Sequence, residues 1–273
     1  MAEVLPTKRR RRAHIGGLCI DPLTLEETAQ RLIEEAVARQ AASRPFFYST
    51  SANGQVLSLC ATDARVRALV TAADEISADG MSLVLWAKWL GREKLPERVA
   101  TTDLFDAVAR RAETSGVSMY FLGGRAEVNE RVVRKVAMRY PALKIAGAHH
   151  GYLSPTTTET VLADIRRTAP GILWVAMGVP LEQQFVVDHR EALKGVGAVR
   201  TSGGLFDFIS GAAKRAPAWM QRCGLEWLYR TWHEPERLLH RYLTTNPHAL
   251  WLMLTRSGAA DCGDTLTPGS DSP

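Results

Sequence analysis

Between Pro45 and Thr201 the sequence alternates between short β-prone apolar runs and longer stretches of helical periodicity. The runs are Pro45–Thr50, Glu75–Ala78, Val117–Leu122, Leu143–Ala146, Ile172–Met177 and Val196–Thr201. Helically spaced apolar residues mark 25–41, 55–72, 81–90, 103–114 and 127–140. Strands joined through helices lie parallel in one sheet, with right-handed crossovers. The pattern predicts one Rossmann-like α/β domain over about 14–212, a mostly parallel sheet flanked by helices. From Lys214 the strand signals stop. Trp219, Trp227, Trp232 and Trp251 sit among Lys214, Arg215, Arg222, Arg230, Arg237 and Arg241, which predicts a helical, membrane-associating appendage over 213–256, broken near Pro235. Residues 1–13 and 257–273 read as disordered tails.

Composition narrows the function classes. The chain has 273 residues, 46% hydrophobic and 23% charged, enough for a sizeable core and too apolar for a disordered protein. No apolar run reaches the roughly 20 residues of a membrane-spanning helix, and Gly16–Ile20 is too short for the core of a secretion signal. The net charge of +5 equals the charge of Lys8 to Arg12, so the basic character belongs to the tail. That run reads as solvated, or as touching phosphates or anionic lipid, and gives no reason to expect nucleic acid as the partner. Cys19, Cys60, Cys223 and Cys262 are widely spaced without a C-x-x-C pair, which predicts reduced thiols in a cytoplasmic protein.

In open α/β sheets, ligands bind beyond the carboxyl ends of the strands. Four junctions should therefore converge on one rim: Ser51-Ala52-Asn53, Asp79-Gly80, Gly123-Gly124 and Gly178-Val179-Pro180. Asp79 is the candidate general base, although Asp before Gly-Met-Ser-Leu also suits a helix N-cap, and the local sequence favours the cap. Asn53 carries the same two readings. Gly123-Gly124 before a helix suits a phosphate or a bare tight turn, and it lacks the third glycine of a dinucleotide fingerprint. His149-His150 reads as a turn, and no metal site is predicted. Arg230, Arg237 and Arg241 fall at i, i+7 and i+11, roughly one face of a continuous helix, where they either clamp a diphosphate or face solvent.

Taken in order, these blocks resemble the WecG/TagA/CpsF glycosyltransferases (glycosyltransferase family 26). The resemblance runs from about Ile15 to Leu243. It rests on S-A-N at 51–53, A-D-G-M at 78–81, R-V-A-T-T-D-L at 98–104, F-L-G-G at 121–124, H-G-Y at 150–152 and G-V-P at 178–180. It continues through G-G-L-F-D-F-I-S-G at 203–211, R-A-P-A-W at 215–219 and the long block from Gly224 to Leu243.

The resemblance implies an inverting, metal-independent transfer from a UDP-sugar to a lipid-diphosphate-linked acceptor, at the cytoplasmic face of a bacterial membrane, in surface or exopolysaccharide synthesis. The expected donors are N-acetylmannosamine, its uronic acid, glucose or glucuronic acid, each as the UDP-sugar, and no cofactor is implied. On this sequence Asp79 would be the base. Ser51, Asn53, Gly80, Asp103, Gly123, Gly124, Gly178, Pro180, Glu182 and Gln183 would line the substrates, and Arg230, Arg237 and Arg241 would hold the diphosphate. The appendage would seat on an anionic membrane surface and disfavour a homo-oligomer that the free protein could otherwise form. Three departures stand out. Leu181-Glu182-Gln183 replaces a Lys-Gln-Glu order, Thr101 replaces a glycine two residues before Asp103, and Ser202 replaces a glycine before Gly203-Gly204. Glu182 or Gln183 would then meet the nucleotide. A nucleotide-dependent oxidoreductase on the same sheet is the alternative.

Overall fold

The computed structural model describes residues 11–89, 94–258 and 262, except for the side chain of Arg237. Six parallel strands form the central sheet: β3 (Phe47–Ala52), β4 (Glu75–Ala78), β5 (Met119–Gly123), β6 (Ile145–His149), β7 (Ile172–Ala176) and β8 (Ala198–Thr201), in the order β4-β3-β8-β7-β5-β6. Apart from the half-buried edge strand β6, the runs are buried on both sides, as a parallel sheet requires. Side chains alternate between the faces: Tyr120, Leu122, Leu173 and Val175 enter one core, and Met119, Phe121, Ile172 and Trp174 enter the other.

The second of these cores is covered by α1 (Leu25–Ala41), α5 (Thr101–Ser115), α6 (Ala126–Arg139) and α9 (Leu205–Ser210). The first lies under α2 (Gly54–Thr62), α3 (Ala64–Thr71), α4 (Met81–Trp89), α7 (Pro155–Thr168), α8 (Leu181–Asp188) and the C-terminal half of α12 (Pro235–Thr255). The predicted single helix over 55–72 is two, because the Asp63 side chain accepts from the N–H groups of Arg65 and Val66 and starts α3 afresh. Thr24 opens α1 with a capping box closed by Glu27.

A hairpin of β1 (Ala13–Ile15) and β2 (Leu18–Ile20) had no counterpart in the sequence reading; its strands are too short to show a period. Part of the predicted N-terminal tail therefore belongs to the fold. Arg12 Nε donates to Asp21 at 3.1 Å, and its Nη2 donates to the Asp74 carbonyl. Lys8 to Arg10 of that basic run lie outside the described residues. The expectation of four reduced thiols is also corrected, because Cys19 on β2 is bonded to Cys262. The chain after α12 returns along the hairpin, with the Gly258 N–H donating to the His14 carbonyl and the Gly17 N–H to that of Arg256. A contact formed across 243 residues leaves no mark in local spacing.

The helical region predicted after Lys214 comprises α10 (Ala218–Arg222), α11 (Glu226–His233) and α12, with the break at Glu234-Pro235. Ala249, Leu252 and Met253 of α12 are buried against the main core, and His248 Nδ1 lies 2.9 Å from Ser58 Oγ of α2. The far end of the appendage is thus continuous with the α/β body. Among the described residues no helix is long and apolar enough to cross a membrane.

Candidate active site

β5 leads outward to β6, whereas its neighbour β7 leads back to β8, so the connections diverge at the ends of these two strands. Gly123-Gly124 and Gly178 sit there, where a crevice for a ligand is expected. The two glycines have a packing reason of their own. A Cβ on Gly123 would lie 2.2 Å from the Ala176 carbonyl oxygen, and the Gly124 N–H is already donated to that carbonyl. They let the ends of β5, β7 and the Gly151 turn meet.

Asn53 and Asp79 end β3 and β4, four strands from β5 in the case of Asp79, or about 19 Å at the usual strand spacing. Ala52 is in register with Ala78, so the two side chains emerge side by side, and Ser51 pairs with Ser77 one residue back. Gly80 permits this approach, because a Cβ there would lie 3.2 Å from the Cα of Asn53. Asn53 caps α2, its Oδ1 accepting from the Val56 N–H. Asp79 does not act as the cap that its local sequence favours. Its Oδ1 accepts from Arg98 Nη2 at 3.3 Å and its Oδ2 from Thr101 Oγ1 at 3.0 Å, while Arg98 Nε donates to its carbonyl. The carboxylate is a fifth exposed, held by neighbours yet open at the rim.

Arg98 was not singled out from the sequence, and Thr101 was noted only as a departure at a glycine position, although both lie in the R-V-A-T-T-D-L block from which Asp103 was taken as a site residue. A basic residue just ahead of a helix, close to a proposed base, was the available signal. Asp103 instead pairs with both terminal nitrogens of Arg215, and Arg215 also donates to Gln221 Oε1. This ties α5 to α10. Arg98 makes the equivalent tie to α11, donating to Glu226 Oε2 at 2.7 Å.

Below the rim lies a polar floor. Arg200 on β8 is wholly buried and donates to Ser49 Oγ, the Thr50 carbonyl and Ser77 Oγ at 2.6–2.8 Å. Ser49 in turn donates to buried Glu75, which faces Arg31 at 3.4 Å. Burial lowers the Arg200 pKa and raises that of Glu75, and each is partly offset by the charge of the other.

Glu182 and Gln183 sit inside this floor. Glu182, 2% exposed, accepts from the N–H groups of Gly178 and Gly203 on one oxygen and from Gln183 Nε2 on the other. Burial pushes its carboxyl up to about 7, against the pull of those hydrogen bonds. It staples the loops after β7 and β8, which makes it a loop anchor rather than a group presented to a nucleotide. Gln183 Nε2 also reaches Thr50 Oγ1 at 3.4 Å, and its Oε1 is buried without a partner. Pro180 follows a cis peptide and opens α8.

Of the appendage arginines, Arg230 comes to the rim: its guanidinium lies 5.2 Å from the ring of Phe208 on α9, the helix following β8. Arg241 lies over its neighbour Tyr242, and its described contacts do not reach the strand ends. Arg237 is in α12, with its side chain outside the described residues. Nε of both Arg230 and Arg241 is buried without a hydrogen-bond partner. His149 ends β6, and its ring meets that of His150 at 4.2 Å rather than facing the opposite way as two strand neighbours would. No group of three or more metal-ligating side chains occurs among the described residues.

A stripe of apolar side chains is left uncovered. Leu239, Leu243, Leu250 and Leu254 are exposed and fall within about 60° of one another around α12. Trp219, Trp227, Trp232 and Trp251 add exposed aromatic surface, with Trp232 at 85%. Compared with models of known protein families, residues 13–260 match the glycosyl transferase WecG/TagA/CpsF family.

Proposed function

The chain belongs to the WecG/TagA/CpsF glycosyltransferase family, and from that premise we propose an inverting transfer of a hexose from a UDP-sugar, without a metal ion, to a polyprenyl-diphosphate-linked acceptor. The hexose is N-acetylmannosamine, its uronic acid, glucose or glucuronic acid, and the product feeds exopolysaccharide or another surface polysaccharide of a bacterial envelope. The observation that carries this reading is Asp79, a carboxylate at a strand end with its two oxygens held by Arg98 and Thr101.

In this reading Asp79 takes the proton from the acceptor hydroxyl as that oxygen attacks C1, opposite the departing UDP. Negative charge then grows on the leaving diphosphate, and cations must meet it. We assign this role to Arg230, beside Phe208 on the helix that follows β8, and to Arg237 and Arg241 on the next helix. The distance from Gly123-Gly124 to Asp79 suits an extended nucleotide-sugar, its nucleoside end at the β5–β7 crevice and its sugar end at β3 and β4. Ser51, Asn53 and Gly80 line that sugar end, Gly178 and Pro180 line the crevice, and Asp103, Glu182 and Gln183 support the wall.

The exposed Trp and Leu side chains of α10–α12 lie on an anionic bilayer surface, with the protein peripheral on its cytoplasmic face. Membrane seating then competes with any homo-oligomer for the same apolar stripe.

Two measurements test the reading. UDP should raise the melting temperature of the purified protein, and EDTA should not cancel the effect. Asp79→Asn should cut transfer about a thousandfold while UDP still stabilises. Wild-type turnover by Asp79→Asn would remove the base assignment, and stabilisation by NAD alone would favour an oxidoreductase.

A further inference from the structure

Asp79 is held from two directions, and the two holders differ in kind. Arg98 is shared: one terminal nitrogen donates to Asp79 Oδ1, the other to Glu226 on α11. Its grip on the carboxylate therefore depends on where the helical region sits. Thr101 is not shared in this way. It opens α5, is 7% exposed, and stands on a helix whose Leu104, Phe105 and Val108 are buried in the core. Its hydroxyl donates to Asp79 Oδ2 at 3.0 Å and carries no charge.

We propose that Thr101 is a positioning residue for transfer, fixing the plane of the Asp79 carboxylate toward the acceptor hydroxyl whether or not Arg98 is engaged by α11. This rests on the reading of Asp79 as the base. The physical argument is a division of labour. A guanidinium orients a carboxylate but also neutralises it, which weakens it as a proton acceptor. A hydroxyl donor orients without adding charge, and a donor on a core helix keeps its place as the neighbouring helices move. With the Asp79 N–H donated to the Ala52 carbonyl and the Asp79 carbonyl accepting from Arg98 Nε, the side-chain torsions are the remaining freedom, and Thr101 removes it.

The test compares Thr101→Val, Thr101→Ser and the double variant Thr101→Val/Asp79→Asn by steady-state transfer with UDP-sugar donor, alongside thermal melts. Valine keeps the shape and removes the donor. It should lower kcat about tenfold or more, the rate equivalent of one hydrogen bond to a charged group, and leave the donor KM within about twofold. Serine should restore most of kcat, and the double variant should be no slower than Asp79→Asn alone. A valine variant with unchanged kcat, or a serine variant as slow as valine, would overturn the proposal. So would a loss in the double variant that multiplies that of Asp79→Asn. If Asp79→Asn itself transfers normally, the base reading fails instead. Should valine prevent folding, Thr101→Ala against Thr101→Ser carries the same comparison.

Discussion

Beneath the ends of β3, β4 and β8 the polar side chains are buried and bound to one another: Arg200 to Ser49 and Ser77, Ser49 to Glu75, Glu182 to Gly178 and Gly203. Across α10, α11 and the first half of α12 the arrangement is reversed. Large apolar side chains face outward, and the region is tied to the sheet domain by the Arg98–Glu226 and Arg215–Asp103 pairs. A buried charged network tolerates one geometry, because leaving any member unpaired is costly. A few part-exposed ion pairs are weak and easily exchanged for other partners. The contrast teaches where a single geometry is enforced. Asp79 stands beside the buried floor, and the arginines proposed for the diphosphate lie on helices joined to it by fewer polar contacts.

The sharpest way to break this comparison is to damage the floor. Arg200→Met should destabilise the protein by about 3–5 kcal/mol, because it leaves Glu75 short of a buried positive charge. Urea unfolding measures the loss, and a change under about 1 kcal/mol would mean the network is not what fixes the floor. Next in size is the outer face of α12. Leu243→Glu with Leu250→Glu should reduce binding to anionic phospholipid vesicles about tenfold or more with little change in melting temperature, since both side chains are exposed. Flotation of variant and parent with vesicles gives the answer, and equal flotation would remove the membrane assignment from this stripe.

Smaller effects probe the ties between the regions. Glu226→Gln weakens the link from Arg98 to α11 and should lower transfer several-fold, with stability reduced by about 1–2 kcal/mol because the pair is largely shielded from water. A large drop in melting temperature instead would show the pair to be part of the fold. The last prediction concerns pH. The folded Glu182 carboxyl titrates near 7, against 4.5 for the free group, so the folded state keeps a proton that the unfolded chain has lost. Stability should therefore fall as pH rises from about 4.5 to about 7, and Glu182→Gln should flatten that slope. Gln183 can turn its unpartnered Oε1 toward the new amide, so the replacement should fold. Melting curves between pH 4.5 and 8 would show an unchanged slope if Glu182 is not responsible.

The strand-end rim was legible because chemistry there follows topology. Ser51, Asn53, Asp79, Gly123 and Gly178 occupy or flank strand ends, as the alternating pattern requires. What Asp79 binds was not legible. Asp followed by Gly and a helix start reads locally as a cap, and only the docking of the segment before α5 on the end of β4, where the Val99 N–H donates to the Ala78 carbonyl, brings Thr101 and Arg98 to the carboxylate. Glu182 and Gln183 sit at the start of a helix, where polar residues are ordinary, and nothing nearby in sequence announces that both are buried. Asp103 matched a motif position and turned out to hold Arg215, 112 residues away.

The sequence by itself determined the parallel α/β plan, the positions of its main strands and helices, the Trp- and Arg-rich helical ending and the family. These follow from local periods, and from motif order that survives without coordinates. Tertiary structure alone decided that Arg98 joins Asp79 to α11, that Arg200 and Glu75 share a buried floor, that Cys19 meets Cys262, and that the end of α12 belongs to the main core. Each is a contact between residues far apart in the chain. The strength of such a contact depends on burial and on which polar groups are left to satisfy one another, quantities that exist only once the chain has closed around them.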